Sequence, residues 1–190
     1  GPSFCSGADL NYMKSMVGFS VSENQRDADA LFEMFWAVRQ APMPVVAQVH
    51  GHVMGGGLGL TAASDIALAQ ESAQFCFSEV KIGLVPAVIS SFVLERMQPS
   101  SARRYMLTGE VFTDSAALAS GLVQFAGNKE SVDKQLDLIL TALRRAGPQA
   151  VRATKSLLAE IHGTTDWSVK RSLSTQVIAE RRVSVEGQEI

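Results

Sequence analysis

The chain has only two cysteines, Cys5 and Cys76, among its 190 residues. This excludes a disulfide framework and is typical of a cytoplasmic protein. Neither sign of charge dominates, because 17 basic and 19 acidic residues give a formal net charge of −2. The lack of a basic stripe argues against nucleic-acid binding, and the lack of an acidic run argues against a disordered tail. We expect one ordinary domain, or a core with a small appendage, located in the cytoplasm.

A stretch without charge, residues 40–64, raises the question of a membrane span. Two prolines, five glycines and two histidines interrupt it. A spanning helix needs about 20 consecutive and mainly apolar residues, so this stretch does not qualify. The start of the chain also lacks the basic and apolar regions of a signal peptide. We therefore expect no contact with a membrane.

The pattern of apolar residues alternates between strand and helix over the first two thirds of the chain and is helical afterwards. Residues 22–41 have helical spacing, with Ser22 as the expected N-cap. We assign 1–128 to an α/β core and 129–190 to a C-terminal helical region. The other predicted elements are strands over 45–49, 66–69, 74–77 and 123–126, and helices over 90–97, 101–108, 115–121, 130–146, 148–162 and 167–185.

Two loops of small residues, Ser6–Asp9 and Gly55–Gly57, each precede a predicted helix. A helix N-terminus presents unpaired N–H groups with partial positive charge. Two such ends that meet at one carbonyl oxygen form an oxyanion hole, where one donor is worth about 3–4 kcal/mol. Small residues also mark tight helix packing, so either loop taken alone has two interpretations.

The glycines also fit a dinucleotide-binding pattern, because Gly57 to Ala62 matches G-x-G-x-x-[GA] and Glu79 lies 20 residues after Gly59. Seven residues separate the preceding predicted strand from Gly57, whereas the dinucleotide turn begins directly at the strand end. This spacing disfavours a nicotinamide cofactor.

Glu79 follows an aromatic strand and precedes an apolar segment. A carboxyl group in apolar surroundings has a raised pKa and can act as base and acid near neutrality. The competing interpretation is an exposed glutamate or an ion pair with Lys81. His50 and His52 have no third ligand nearby in the sequence, so we expect no metal site.

Taken together, several segments resemble the crotonase superfamily of enoyl-CoA hydratases and isomerases. The resemblance covers nearly the whole chain and is closest to the bacterial methylglutaconyl-CoA and isohexenylglutaconyl-CoA hydratases. Its segments are 4–10, 50–60, 63–67, 74–86, 103–109 and 117–123, together with 182–189.

The resemblance implies a spiral core of ββα turns and C-terminal helices that form a homotrimer or homohexamer. It also implies an acyl-CoA substrate, with no metal and no cofactor apart from the coenzyme A of that substrate. The oxyanion donors would be the N–H groups of Ala8 and Gly56, and Glu79 would be the catalytic acid–base. The coenzyme A path would comprise Cys5, Ser6, Ala8, Asp9 and Leu10, and the substrate pocket Gly55, Gly59, Val80, Pro86 and Ala87.

The chain departs from the family pattern at two places. The first of the two catalytic glutamates falls at Gly59, which carries no carboxylate. Residues 86–91 stand where fatty-acid hydratases carry a glycine-rich run, and together with 182–189 they look most like the methylglutaconyl-CoA and isohexenylglutaconyl-CoA hydratases. Relative to the family, we expect the N-terminal part of the core to be missing before Phe4 and a final helix to follow Ile190.

We therefore expect hydration of an α,β-unsaturated acyl-CoA, of a branched glutaconyl type from leucine or acyclic terpene catabolism. A 3,2-enoyl-CoA isomerase also needs an enolate hole and can use one glutamate. A non-catalytic acyl-CoA-binding or RNA-binding relative is a third possibility, favoured by the absent second glutamate.

Overall fold

A computed structural model describes residues 1–189, except for the side chain of Leu10. The described residues form ten α-helices, six strands and one 3₁₀ helix. In chain order they are α1 (Leu10–Ser15), α2 (Val21–Arg39), β1 (Val46–Val49), β2 (His52–Met54), α3 (Gly56–Ala63), β3 (Ile66–Gln70), β4 (Gln74–Cys76), the 3₁₀ helix (Ser78–Ile82), α4 (Ala87–Leu94), α5 (Pro99–Thr108), β5 (Phe112–Thr113), α6 (Asp114–Ala119), β6 (Phe125–Gly127), α7 (Lys129–Arg145), α8 (Pro148–His162), α9 (Trp167–Arg182) and α10 (Val185–Gln188).

The chain divides into two compact units. One contains Gly1–Gln40 and Val45–Leu136, and the other contains Ala41–Pro44 and the chain from Asp137 onward. The boundary between a core over 1–128 and a helical region over 129–190 stays a prediction. Among the helices of residues 1–189, none is long and apolar enough to cross a lipid bilayer.

The strands of the first unit form two small sheets. β1, β3 and β6 are parallel neighbours in that order, with Val46 opposite Ile66. In the other sheet, β4 pairs in parallel with β2 and antiparallel with β5. Parallel strands with helical connections bury both faces, so their sequences are apolar throughout rather than alternating. This is why β1 and β3 could be recognised as short apolar runs.

Aromatic side chains fill the core beside the second sheet. Phe112 on β5 stacks on Phe75, Phe77 and Tyr105, with ring centroids 5.4, 6.1 and 4.1 Å away. Phe75 and Phe77 are fully buried. Because Phe77 immediately precedes the 3₁₀ helix, this packing fixes the point at which that helix starts.

The glycine-rich helix α3 packs against α2 and α4. Glycine costs about 1 kcal/mol relative to alanine inside a helix, so α3 depends on these tertiary contacts. Its C-terminal end is held by Arg96, whose Nη1 donates to the carbonyl oxygens of Thr61 (2.9 Å), Ala62 (3.3 Å) and Ser64. Burial lowers the pKa of Arg96 to about 10, and the guanidinium stays charged at neutral pH.

In the second unit, a side chain of α10 caps the N-terminus of α8. The Glu186 carboxylate accepts hydrogen bonds from the N–H groups of Gln149 (2.9 Å) and Ala150 (2.7 Å) and from Arg181 Nη2 (2.7 Å). These backbone donors and the guanidinium hold the pKa of Glu186 below its ordinary value. The segment 182–189 therefore has a structural role within this unit.

Candidate active site

The first small-residue loop lies along β2. Phe4 N–H donates to His50 O (2.9 Å), Cys5 N–H donates to His52 O (3.0 Å), and Met54 N–H donates to Cys5 O (2.9 Å). The loop then turns through Gly7, whose φ of +103° favours glycine. It ends at Asp9, which caps α1 by accepting from Asn11 N–H at 2.7 Å.

The second loop is in direct contact with the first. Gly55 has φ +49° and ψ −115°, and its N–H donates to Cys76 O at 3.1 Å. A Cβ at Gly57 would stand only 2.8 Å from Cys5 Cβ, so a larger residue at position 57 would force the loops apart. The structure thus brings together the two segments that the sequence pointed to.

Each loop contains one of the expected oxyanion donors, Gly56 as the first residue of α3 and Ala8 two residues before α1. Gly56 is the first residue of α3, where the N–H has no intrahelical acceptor. Within residues 1–189, neither the Gly56 N–H nor the Ala8 N–H donates a hydrogen bond. Gly56 is partly exposed and Ala8 is exposed, so both amides are available to an incoming oxygen.

Glu79 lies in the 3₁₀ helix, not at the end of a strand. Its Oε1 stands 3.3 Å from where a Cβ on Gly55 would be, which puts the carboxyl group beside the start of α3. Its Oε2 is buried and has no hydrogen-bond partner within the described residues. Burial raises the pKa of Glu79, partly opposed by its own backbone N–H. An unpaired buried oxygen of this kind favours proton uptake or a polar ligand.

Within the described residues, Glu79 forms no ion pair with Lys81. Lys81 Nζ instead lies 3.8 Å from Cys76 Sγ. The turn after Glu79 is closed by Leu84 N–H, which donates to Glu79 O at 3.0 Å, and by Gly83 with φ +77°.

Other proposed site residues occupy more varied positions. Cys5 is half-buried and Ser6 is exposed. Val80 points its Cγ2 towards Gly109, 2.8 Å from where a Cβ there would be. Pro86 is the N-cap of α4 and Ala87 its first residue. The side chain of Leu10 lies outside the described part of the chain.

The two histidines of the charge-free stretch do not come together with other metal ligands. His50 Nε2 lies 3.1 Å from Gly1 O, and His52 is exposed on β2. Within residues 1–189, no group of three or more His, Cys, Asp or Glu side chains could hold a metal ion.

Comparison with known proteins identifies the family to which the chain belongs. The family described as enoyl-CoA hydratase/isomerase matches residues 1–185. The chain belongs to this family, the crotonase superfamily. A crystal structure of an enoyl-CoA hydratase from Shewanella pealeana superposes with a TM-score of 0.93 at 39% identity, covering 100% of this chain and 71% of that one. The expected α/β crotonase fold is confirmed.

Relatives within the crotonase superfamily carry both activities in their names. Enoyl-CoA hydratase AKT6-1 of Alternaria alternata is 33% identical over 183 residues, which are 94% of this chain and 59% of that protein. A peroxisomal Delta(3,5)-Delta(2,4)-dienoyl-CoA isomerase of Arabidopsis thaliana is 31% identical over 172 residues, 83% of this chain and 61% of that protein. The chain therefore spans about three fifths of the length of these relatives.

Gly59, where the family resemblance places the first glutamate, has no room for a side chain. A Cβ there would stand 2.6 Å from Ile89 Cγ2 and 2.8 Å from Cε1 and Cζ of Phe35. Phe35 falls within the helix predicted over 22–41, and no sequence signal indicated which glycine its ring would meet. The packing of α2 and α4 therefore excludes a larger side chain at position 59.

We expect Gly59→Ala to lower the free energy of unfolding by about 1–3 kcal/mol, because overpacking a tight core has that cost. Gly56→Ala is a matched control in the same helix, since its Cβ would meet only Phe35 Cζ at an ordinary 3.7 Å. Urea denaturation of both variants measures the difference. A Gly59→Ala protein as stable as Gly56→Ala would contradict the packing described here.

Proposed function

We propose that this protein adds water to the double bond of an α,β-unsaturated acyl-CoA thioester. The observation that carries the proposal is the Glu79 carboxyl group, raised in pKa by burial and placed beside the start of α3. An acid–base group with a raised pKa, close to unpaired backbone donors, suits a reaction that moves a proton while an oxyanion develops.

In the proposed reaction, the N–H groups of Ala8 and Gly56 donate to the thioester oxygen. They stabilise the negative charge that collects there when the double bond is attacked and an enolate forms. Glu79 takes a proton from water, the water oxygen bonds to C3, and Glu79 returns the proton to C2. Hydroxyl and hydrogen are thereby added across one double bond, and the glutamate ends in its starting state.

The proposed substrate is a branched glutaconyl-type thioester, as in leucine or acyclic terpene catabolism. Support comes from the resemblance of residues 86–91 and 182–189 to hydratases of such substrates. Coenzyme A enters as part of the substrate, along the path of Cys5, Ser6 and Asp9, and the proposal includes no metal or redox cofactor. It also includes a cytoplasmic location, because both cysteines are free thiols.

A second candidate is a 3,2-enoyl-CoA isomerase. The absence of a carboxylate at Gly59 favours this activity. Moving a double bond requires an oxyanion hole that stabilises the enolate, but only one group that transfers the proton. The named isomerase among the relatives is consistent with that alternative.

A turnover assay with three thioesters tests the function. We expect water addition to 3-methylglutaconyl-CoA, seen as loss of the conjugated enoyl absorbance and a mass increase of one water, to be faster than with crotonyl-CoA. A 3-enoyl-CoA is the third substrate. If the protein only converts the 3-enoyl thioester to the 2-enoyl form, the isomerase is correct, and if no thioester reacts, the hydratase proposal fails.

We also propose assembly into a homotrimer or homohexamer. In the second unit, Leu158 on α8 is 63% exposed and Ile178 on α9 is 50% exposed. Single exposed apolar side chains are normal on protein surfaces, but the family resemblance assigns these C-terminal helices to subunit contacts, so we expect another subunit to cover them. Light scattering is expected to give the mass of a trimer or hexamer, and Leu158→Glu to weaken the assembly. A stable monomer at micromolar concentration would contradict this expectation.

A further inference from the structure

The ring of Phe35 supports the two turns of α3 that begin at the proposed oxyanion donor. Phe35 on α2 is fully buried. Its Cζ lies 3.7 Å from the Cβ position of Gly56, and its Cε1 and Cζ lie 2.8 Å from that of Gly59. Residues three apart share one face of a helix, so a single ring packs under both glycines.

The ring is held firmly from its other side. Phe92 on α4 packs against Phe35 with a centroid separation of 5.7 Å, and Phe32 packs against Phe92 at 5.3 Å. Ile89, also on α4, closes the space beside Gly59. Because Phe35 packs against both α4 and α3, the positions of α2 and α4 determine where the first turns of α3 lie.

Within the described residues, no side-chain hydrogen bond holds the N-terminal end of α3, although Cys5 packs beside Gly57 in its first turn. Its N-cap, Gly55, makes no side-chain cap hydrogen bond, and its first turn holds no acidic residue. Arg96 holds only the opposite end, at the carbonyl groups of Thr61, Ala62 and Ser64. The direction of the Gly56 N–H is thus set by packing and by the backbone bond from Gly55 N–H to Cys76 O.

We propose that Phe35 is a positioning residue that fixes the Gly56 N–H against the thioester oxygen without touching the substrate. The proposal rests on the proposed function, in which Gly56 is an oxyanion donor. A misplacement of about 1 Å can cost roughly a hundredfold in rate, so a loss of packing under α3 has a catalytic consequence.

The test compares Phe35→Leu with the wild type in turnover and in binding. We expect kcat to fall by about 10–100-fold, as for a displaced catalytic donor, and KM to change much less. Equilibrium binding of acetoacetyl-CoA and of free coenzyme A is then measured, because only the first carries a thioester oxygen. The preference for acetoacetyl-CoA over coenzyme A is expected to shrink in Phe35→Leu, while coenzyme A affinity is kept.

Two further variants separate positioning from general stability. Leu122→Ala opens a cavity at another fully buried core residue, and we expect it to lower the melting temperature without changing the thioester preference. Phe35→Met fills most of the ring volume with an unbranched chain, and we expect it to keep more of kcat and of the preference than Phe35→Leu. It also replaces Phe35→Leu in every measurement if that variant does not fold.

The outcomes distinguish this proposal from the function on which it rests. If the wild type prefers acetoacetyl-CoA and the Phe35 variant keeps that preference, Phe35 does not position the donor, and the function stands. If Leu122→Ala loses the preference equally, the effect belongs to core stability and the positioning role is wrong. If the wild type itself has no preference, the oxyanion hole is wrong and the positioning role falls with it.

Discussion

Glu79→Gln is expected to lower the hydration rate by about 10²–10⁴-fold, which is the usual contribution of general acid–base catalysis. The amide keeps the volume of the side chain but cannot accept the proton of water. Binding of an acyl-CoA is expected to survive, because the oxyanion donors are backbone groups of Ala8 and Gly56. Rate and affinity are measured on the same preparation, with Glu71→Gln, at an exposed turn, as the control.

The pH dependence of the hydration rate and of the stability, measured for the wild type and Glu79→Gln, tests whether burial raises the pKa of Glu79. Burial raises the pKa of Glu79 above its ordinary 4.5, so the wild-type rate should fall with decreasing pH at a midpoint above that value. The free energy of unfolding should also depend on pH, because the pKa of Glu79 is higher in the folded than in the unfolded state. A raised folded-state pKa gives a contribution that is present below the unfolded pKa and lost as pH rises through the folded one.

Glu79→Gln cannot ionise, so its melting temperature should exceed that of the wild type at neutral pH. The difference should shrink towards pH 4, where the wild-type carboxyl group is also neutral. A difference independent of pH would show that Glu79 is not held in a desolvating environment, and an unchanged rate in Glu79→Gln would remove it from the chemistry.

Gly56→Pro is expected to reduce turnover by at least about a hundredfold, since removing one oxyanion donor costs about 3–4 kcal/mol. Gly56 is the first residue of α3, a position that accepts proline because its N–H has no intrahelical partner. The substitution therefore deletes the donor with the least disturbance of the helix.

Gly56→Ala is the matched control for this proline variant. It keeps the N–H, and its Cβ would meet only Phe35 Cζ at 3.7 Å. We expect the alanine variant to stay within about tenfold of the wild-type rate, since the donor is retained. Circular dichroism checks that both variants fold. A folded Gly56→Pro protein with a normal rate would exclude Gly56 as a donor.

Local signals in the sequence predicted most of the architecture. The alternation of short apolar runs with helical stripes predicted an α/β core followed by helices, and the family resemblance implied the crotonase fold, which is confirmed. The predicted N-cap of α2 was wrong by two residues, because Ser20 rather than Ser22 is its N-cap. The capping box of Ser20 and Glu23 was visible in the sequence as S-x-x-E.

Features that depend on distant parts of the chain could not be predicted. β2 has three residues and exists because Gln74–Cys76 pairs with it and Cys5 bridges to it. The sequence therefore predicted no strand over His52–Met54. Likewise, the exclusion of a side chain at Gly59 needs Phe35 and Ile89 from two other helices, which meet only in the folded core.

A crystal structure of the protein with acetoacetyl-CoA bound would show directly whether the amides of Ala8 and Gly56 hold a thioester oxygen beside Glu79. We expect the thioester oxygen to lie about 2.7–3.1 Å from both amide nitrogens, with the Glu79 carboxyl group facing the acyl chain. A thioester oxygen directed away from either amide, or an acyl chain bound away from Glu79, would contradict this arrangement.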